Sequence, residues 1–237
     1  MRIDSLSDVG IKRKENQDNF WSSVLLVDGK EAGVICICDG MGGLDNGKLA
    51  SKLVVEGVRD SILSKFDFND LSNVLKSVND NIRSLYGEDR SKAMGTTCTV
   101  LVCYDNKYKI IHIGDSRAYK ISNGTCTLLT EDHSAVKQFN ISKKDNPVLW
   151  NKYKSKLTRC IGVESNIKPY ISEGTYTSGD VFVLCSDGCW HYFEDFNLNK
   201  GTVNDLSSLV RSCISNGETD NITCLLYTSP SPRDTER

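Results

Sequence analysis

The stretch VICICDGMGG, residues 34–43, decides the reading of the fold. Its first five residues are apolar at every position, so they read as a short strand covered on both faces. The run then stops on Asp39 and breaks into Gly40, Met41, Gly42 and Gly43. A carboxylate at the end of a buried strand is costly unless it is paired or holds a metal. Glycines at that point let backbone approach something closely.

Reading outward, NFWSSVLLV (19–27) and GVICIC (33–38) flank the turn signal Asp28-Gly29 and predict a hairpin. From Gly47 to Phe66 the apolar spacing becomes helical. A second helix is predicted from Asp70 to Tyr86, with Leu71, Val74, Leu75, Val78, Ile82 and Leu85 on one face. Asp70 suits its N-cap and Gly87 its stop. Strands follow at 96–104, 108–114, 117–122 and 125–130, parted by short turns, and again at 170–177 and 180–186. A helix near 203–215 and a strand at 221–227 close the pattern. Residues 133–156 are polar and lysine-rich and read as a surface flap. Helices packed on antiparallel sheets make this an α+β chain, and the many short strands predict a two-sheet sandwich with helices outside. One domain, 1–227, is expected. The final TSPSPRDTER (228–237) is Ser/Pro-rich and charged, and reads as a disordered tail that need not be native sequence.

The chain has 237 residues, enough for a sizeable core, and a net charge of −2 with no basic run, which argues against nucleic acid as a partner. The N-terminus shows no secretory signal and no window is apolar enough to span a membrane, so a cytoplasmic protein is expected. The ten cysteines include no CxxC pair and read as buried free thiols rather than a zinc site.

Asp39 has company. Asp187 ends VFVLCSDG, Asp115 ends IIHIGDS, Asp220 precedes the last strand in TDNIT and Asp18 the first in NQDNF. Any one of them suits a turn. Five at the mouths of apolar strands would repel strongly unless protonated or neutralised by cations. Ligands that are all oxygen favour Mg²⁺ or Mn²⁺. Asp39 suits a ligand shared by two ions and Gly40 a carbonyl ligand; such pairs, about 3.5–4 Å apart, serve phosphoryl transfer or hydrolysis with a hydroxide held between them. Arg13, five residues before Asp18, is the candidate phosphate-binding cation. Lys12 and Lys14 flank it, so residue type and spacing leave a solvated basic patch equally open.

The ordered set SDVGIKRKENQD, CDGMGG, MGTT, GDSRAY, TEDHS, LTRCIG, CSDG and TDNIT resembles the type 2C metal-dependent serine/threonine protein phosphatases, over about Ser5 to Tyr227 and in the bacterial form. The resemblance implies a four-layer αββα sandwich with two antiparallel sheets and a metal site at one end. It implies that Asp39, Asp187 and Asp220 bind two ions, that Asp39 bridges and that Gly40 gives its carbonyl. It further implies that Asp18 reaches the second ion, that Arg13 binds phosphate, that Asp115 with Asp187 can hold a third, weaker ion, and that 133–156 is a substrate-contacting flap. The expected activity is hydrolysis of phosphoserine and phosphothreonine in proteins, by a monomer opposing a Ser/Thr kinase. The rivals are a pseudophosphatase on the same fold and a small-molecule phosphoesterase. Three departures stand out. Met41 replaces a histidine thought to protonate the leaving group, Gln17 replaces an acid, and His191 falls where an acid often follows CSDG. His191 reads as a half-exposed surface residue, His112 as facing solvent or a helix, and His133 as a turn-holding residue.

Overall fold

VICIC is apolar throughout because both of its faces are covered. A computed structural model of the chain describes residues 1–41, 46–67, 69–192 and 205–229. It places the stretch in β3 (Lys30–Asp39) of a five-stranded antiparallel sheet. The sheet order is β2 (Asp18–Val27), β3, β4 (Cys98–Tyr104), β5 (Lys107–Ile113) and β8 (Tyr170–Thr175). Side chains alternate across a strand, so Val34, Cys36 and Cys38 face α1 (Gly47–Ser64) and α2 (Leu71–Tyr86). Ile35 and Ile37 face a second sheet.

That second sheet runs β1 (Arg2–Asp8), β10 (Ile222–Thr228), β9 (Val181–Cys185), β6 (Arg117–Ser122) and β7 (Thr125–Leu128). Between the sheets lie Leu101, Ile110, Phe182, Leu184 and Tyr227. On its outer face Val183, Cys185 and Cys224 meet Trp190 of α5 (Asp187–Trp190) and Leu209, Val210 and Cys213 of α6 (Leu206–Ser215). The expected four-layer sandwich is present.

Several expectations need correction. RIDSLSD, not read as a strand, forms β1 and pairs along its whole length with β10, from Arg2 opposite Thr228 to Asp8 opposite Ile222. Asp70 precedes α2, but its carboxylate accepts from the Asn73 side chain rather than from a helix amide. The flap is not wholly a surface segment: it carries α3 (Ala135–Gln138) and α4 (Pro147–Tyr153), and Ser134, Ala135 and Val136 are buried. The domain boundary at 227 falls too early. Thr228 belongs to β10, and Ser229 is buried, its hydroxyl donating to the Thr177 carbonyl at 2.8 Å. Gly42 and Gly43, residues 203–204 of the last helix and 230–237 of the tail lie outside the described residues.

Candidate active site

Asp18 and Asp39 face each other across the β2–β3 ladder. The backbone around Asp39 is fixed from β4's side: its amide donates to Thr97 Oγ1 (2.9 Å), and its carbonyl accepts from Thr96 Oγ1 (2.8 Å) and the Thr97 amide (2.9 Å). Gly40 answers the question its motif raised. A Cβ there would lie 2.5 Å from the Gly47 carbonyl oxygen and 2.7 Å from that of Gln17, so only glycine fits where these segments converge.

The other carboxylates arrive from the opposite sheet. Asp187 opens α5, and Gly188 beside it admits the Asn221 carbonyl to a point 2.2 Å from where a Cβ would stand. Asp220 precedes β10. Arg13, Asp39, Gly40, Asp115, Asp187 and Asp220 meet around one cleft of about 460 Å³, with Met41 and Thr97 on its wall. Asp18 is buried beside it. All seven candidate residues thus converge, but Arg13 is not free: Nε and Nη2 hold Asp220 Oδ1 and Oδ2 at 2.8 and 2.7 Å.

Several supporting residues escaped the sequence reading. Asp18 Oδ2 accepts from Thr223 Oγ1 (2.6 Å) and Ser186 Oγ (3.0 Å). Asn221 ties down the Arg13 loop, accepting from the Gln17 amide (2.9 Å) and donating to the carbonyls of Val9 (2.9 Å) and Glu15 (3.1 Å). Trp190 Nε1 donates to the Asp115 carbonyl at 2.8 Å, and Arg117, 3.5 Å above the Trp190 ring, is held by Asp132. The available signal was polar side chains within three positions of a strand-end aspartate: Ser186, Asn221, Arg117, Thr223 and Trp190.

The field of the site is strongly negative. Burial foremost, then Asp18, Asp187, Asp115 and Asp220, push Asp39 well above the usual carboxylate range. Burial, then Asp187 and Asp132, do the same to Asp115. Burial raises Asp187, opposed by His191 and reinforced by Asp220 and Glu218. Asp18 is raised to about 7, again by burial first, despite its two hydroxyl donors. Asp18 Oδ1 and Asp187 Oδ1 are buried and have no hydrogen-bond partner. A cation among these oxygens would remove both penalties.

The histidines stand apart. His112 does not face solvent or a helix. It is fully buried on the inter-sheet side, bonded to Thr99 Oγ1 (2.8 Å) and stacked on His133, and burial with His133 lowers it to about 3. His133 does not hold a turn of its own but clasps another segment: its Nδ1 accepts from the Gly114 amide and its amide donates to the Gly114 carbonyl, one residue before Asp115. His191 is not half-exposed but buried, between Trp150 and Trp190.

Two other features compete for attention. Among the described residues, Cys36, Cys38 and Cys98 bring three candidate ligand atoms within 4.8 Å of one another, but all three sit in the apolar layer under α1 and α2. They are free thiols, as the sequence suggested. A larger hollow, about 610 Å³, opens at the far end of β4 and β5; its acids Asp105 and Glu173 are each paired with a lysine. No described helix is long and apolar enough to cross a membrane.

Comparison with known proteins places nearly the whole chain. The protein phosphatase 2C family model matches residues 11–226. Protein phosphatase PhpP of Streptococcus pneumoniae is 31% identical over a 242-residue alignment covering 95% of this chain and 96% of its own. Serine/threonine phosphatase stp of Listeria innocua is 29% identical, with 95% of each chain covered. The crystal structure of a bacterial serine phosphatase shares the fold, with a TM-score of 0.85 over 98% of each chain at 24% identity. PppA of Pseudomonas aeruginosa superposes with a TM-score of 0.77 at 29% identity over 95% of this chain and 96% of its own. The family model and these relatives thus define a phosphatase. Within that class the chain belongs to the protein phosphatase 2C family, in its bacterial branch, a family of metal-dependent enzymes.

Proposed function

We propose that this protein hydrolyses phosphoserine and phosphothreonine in proteins, with two Mg²⁺ or Mn²⁺ ions held by Asp18, Asp39, Gly40, Asp187 and Asp220, and a third, weaker ion at Asp115 and Asp187. One observation carries the reading: aspartates from both sheets crowd one cleft, and two of their buried oxygens lack any partner. Donors that are all oxygen fit hard divalent cations. Bound there, the ions would supply an activated water nucleophile at neutral pH and offset charge on the phosphoryl group.

The chain's own residues do the rest. Thr96 and Thr97 fix the backbone of Asp39, so its carboxylate enters the cleft at a set position. Ser186 and Thr223 orient Asp18 through one oxygen and leave the other available. Arg13 presents a planar fork that now grips a carboxylate and suits phosphate oxygens equally. Met41 lines the cleft and has no proton to give, so proton delivery to the leaving alkoxide falls to another group. The names of PhpP and stp support protein serine and threonine residues as the substrate class.

The test is turnover of p-nitrophenyl phosphate and of a phosphothreonine peptide by metal-stripped protein, with and without millimolar Mn²⁺. Both should require the metal, and a phosphotyrosine peptide should be the poorer substrate. Full turnover in EDTA would sink the proposal.

A further inference from the structure

The flap contradicts the charge of the rest of the molecule. The chain as a whole is at −2, yet residues 133–156 carry six lysines against one aspartate, a net charge of +5. Among the described residues, none of these lysines lies within 4.0 Å of a carboxylate. Several stand over aromatic rings instead. Lys143 and Lys154 lie 5.3 and 5.2 Å from the Trp150 centroid, and Lys152 and Lys156 lie 5.3 and 4.9 Å from that of Tyr153. A ring face steadies an ammonium without neutralising it, so the charge stays available to a partner.

The lysines also border a concave surface. Lys137, Lys143, Lys144 and Trp150 line one side of a cleft of about 300 Å³, and Arg117 and Trp190 form the other. Arg117 is already matched to Asp132 at 2.7 Å, so the uncommitted charge belongs to the lysines. Residues of this cleft are tied to those of the carboxylate cleft. Trp190 holds the Asp115 carbonyl, and Ser155 and Leu157, just beyond α4, line the carboxylate cleft. Phe139 and Val148 are 63% and 77% exposed on the same segment and add apolar contact surface.

We propose that this cleft docks an acidic segment next to the phosphorylated residue, making the protein selective for phosphoproteins with Glu or Asp flanking the phosphoserine or phosphothreonine. The inference builds on the proposed function and names its substrate class. Charge complementarity at an exposed rim acts chiefly on encounter and KM. A folded or membrane-bound partner fits less well, because the lysines border a concavity rather than a flat face, and its Trp190 holds the Asp115 carbonyl of the carboxylate cleft.

The test compares phosphothreonine peptides of equal length flanked by three Glu or by three Ala. The ratio of their kcat/KM values within one preparation cancels differences in active fraction. Wild type should favour the acidic peptide about tenfold, as two or three exposed charge pairs together would give. The ratio should approach one in 0.5 M salt and in the double variant Lys143→Glu, Lys144→Glu. A wild-type ratio near one overturns the proposal, as does a ratio that the double variant leaves intact. The same peptides carrying fluorescein, followed by anisotropy in EDTA, read docking without turnover. The acidic peptide should bind the tighter, and the double variant should erase the difference. Preferential displacement by phosphatidylserine vesicles would assign the surface to a membrane and overturn it. Inactivity towards p-nitrophenyl phosphate and both peptides with Mn²⁺, alongside tight acidic-peptide binding, would overturn the proposed activity while leaving the docking surface standing.

Discussion

Arg13 and a cation cannot both saturate Asp220. The bidentate pair occupies both carboxylate oxygens, and the arginine is 40% exposed, so the contact can open towards a substrate phosphate. The sequence suggested an arginine that touches substrate alone; the structure ties it to a candidate metal ligand. Arg13→Ala should therefore raise KM for phosphopeptide about tenfold and also tighten Mn²⁺ binding, because a competitor for Asp220 is gone. Titration calorimetry showing weakened Mn²⁺ binding would make the arginine a support of the metal site instead. Thr223 poses the complementary case. Its hydroxyl gives Asp18 the shorter of its two hydrogen bonds. Thr223→Val should weaken divalent-ion binding by roughly 10-fold or more, as loss of a group that orients a ligand commonly does. Unchanged affinity would show that Ser186 alone suffices.

At the scale of elements, the end of β10 carries contacts that close the sandwich. Tyr227 is 1% exposed in the inter-sheet layer, Thr228 pairs with Arg2, and Ser229 bonds back to the loop before β9. Ending the chain after Ser229 should leave Tm within error, as removal of a polar, proline-containing stretch does. Ending it after Leu226 should cost about 3–5 kcal/mol, the usual penalty for removing a buried aromatic. Equal Tm values for the two truncations would mean that the Tyr227 contacts are worth little. The elements differ in how far sequence alone reveals them. β3 is legible because both its faces are apolar. β1 is not: RIDSLSD is half-buried and mostly polar, and β10, the strand that makes it one, lies more than 200 residues away. His112 was misplaced for a related reason. Alternation with Ile111 and Ile113 fixes the opposite face correctly, but that face is interior and carries a Thr99–His112–His133 polar cluster. The carboxylates were legible as strand ends; the hydroxyls orienting Asp18 were not, because Ser186 and Thr223 lie 168 and 205 residues from it along the chain.

The whole molecule inherits the electrostatics of its cleft. Asp18 titrates near 7 in the folded chain against an ordinary value of 3.8. Between those values the folded state holds more protons than the unfolded one, so the stability of cation-free protein falls as pH rises through that window. Asp39, Asp115 and Asp187 are displaced in the same direction. Tm in EDTA should therefore decline from pH 5 to pH 8, and millimolar Mn²⁺ should cancel the decline by binding the ionised carboxylates. A Tm in EDTA that is flat or rising over that range would mean the acids are too far apart to repel. The pairing of β1 with β10 has a further consequence, for synthesis. A ribosome releases Arg2–Asp8 first and Ile222–Thr228 more than 200 residues later. Until β10 emerges, the N-terminal strand waits with an open edge, and Asp18 and Asp39 wait for Asp187 and Asp220. Neither the β1–β10 pairing nor the site can form before Ile222–Thr228 has been made. The unpaired first strand is the segment for which a chaperone would compete in that interval.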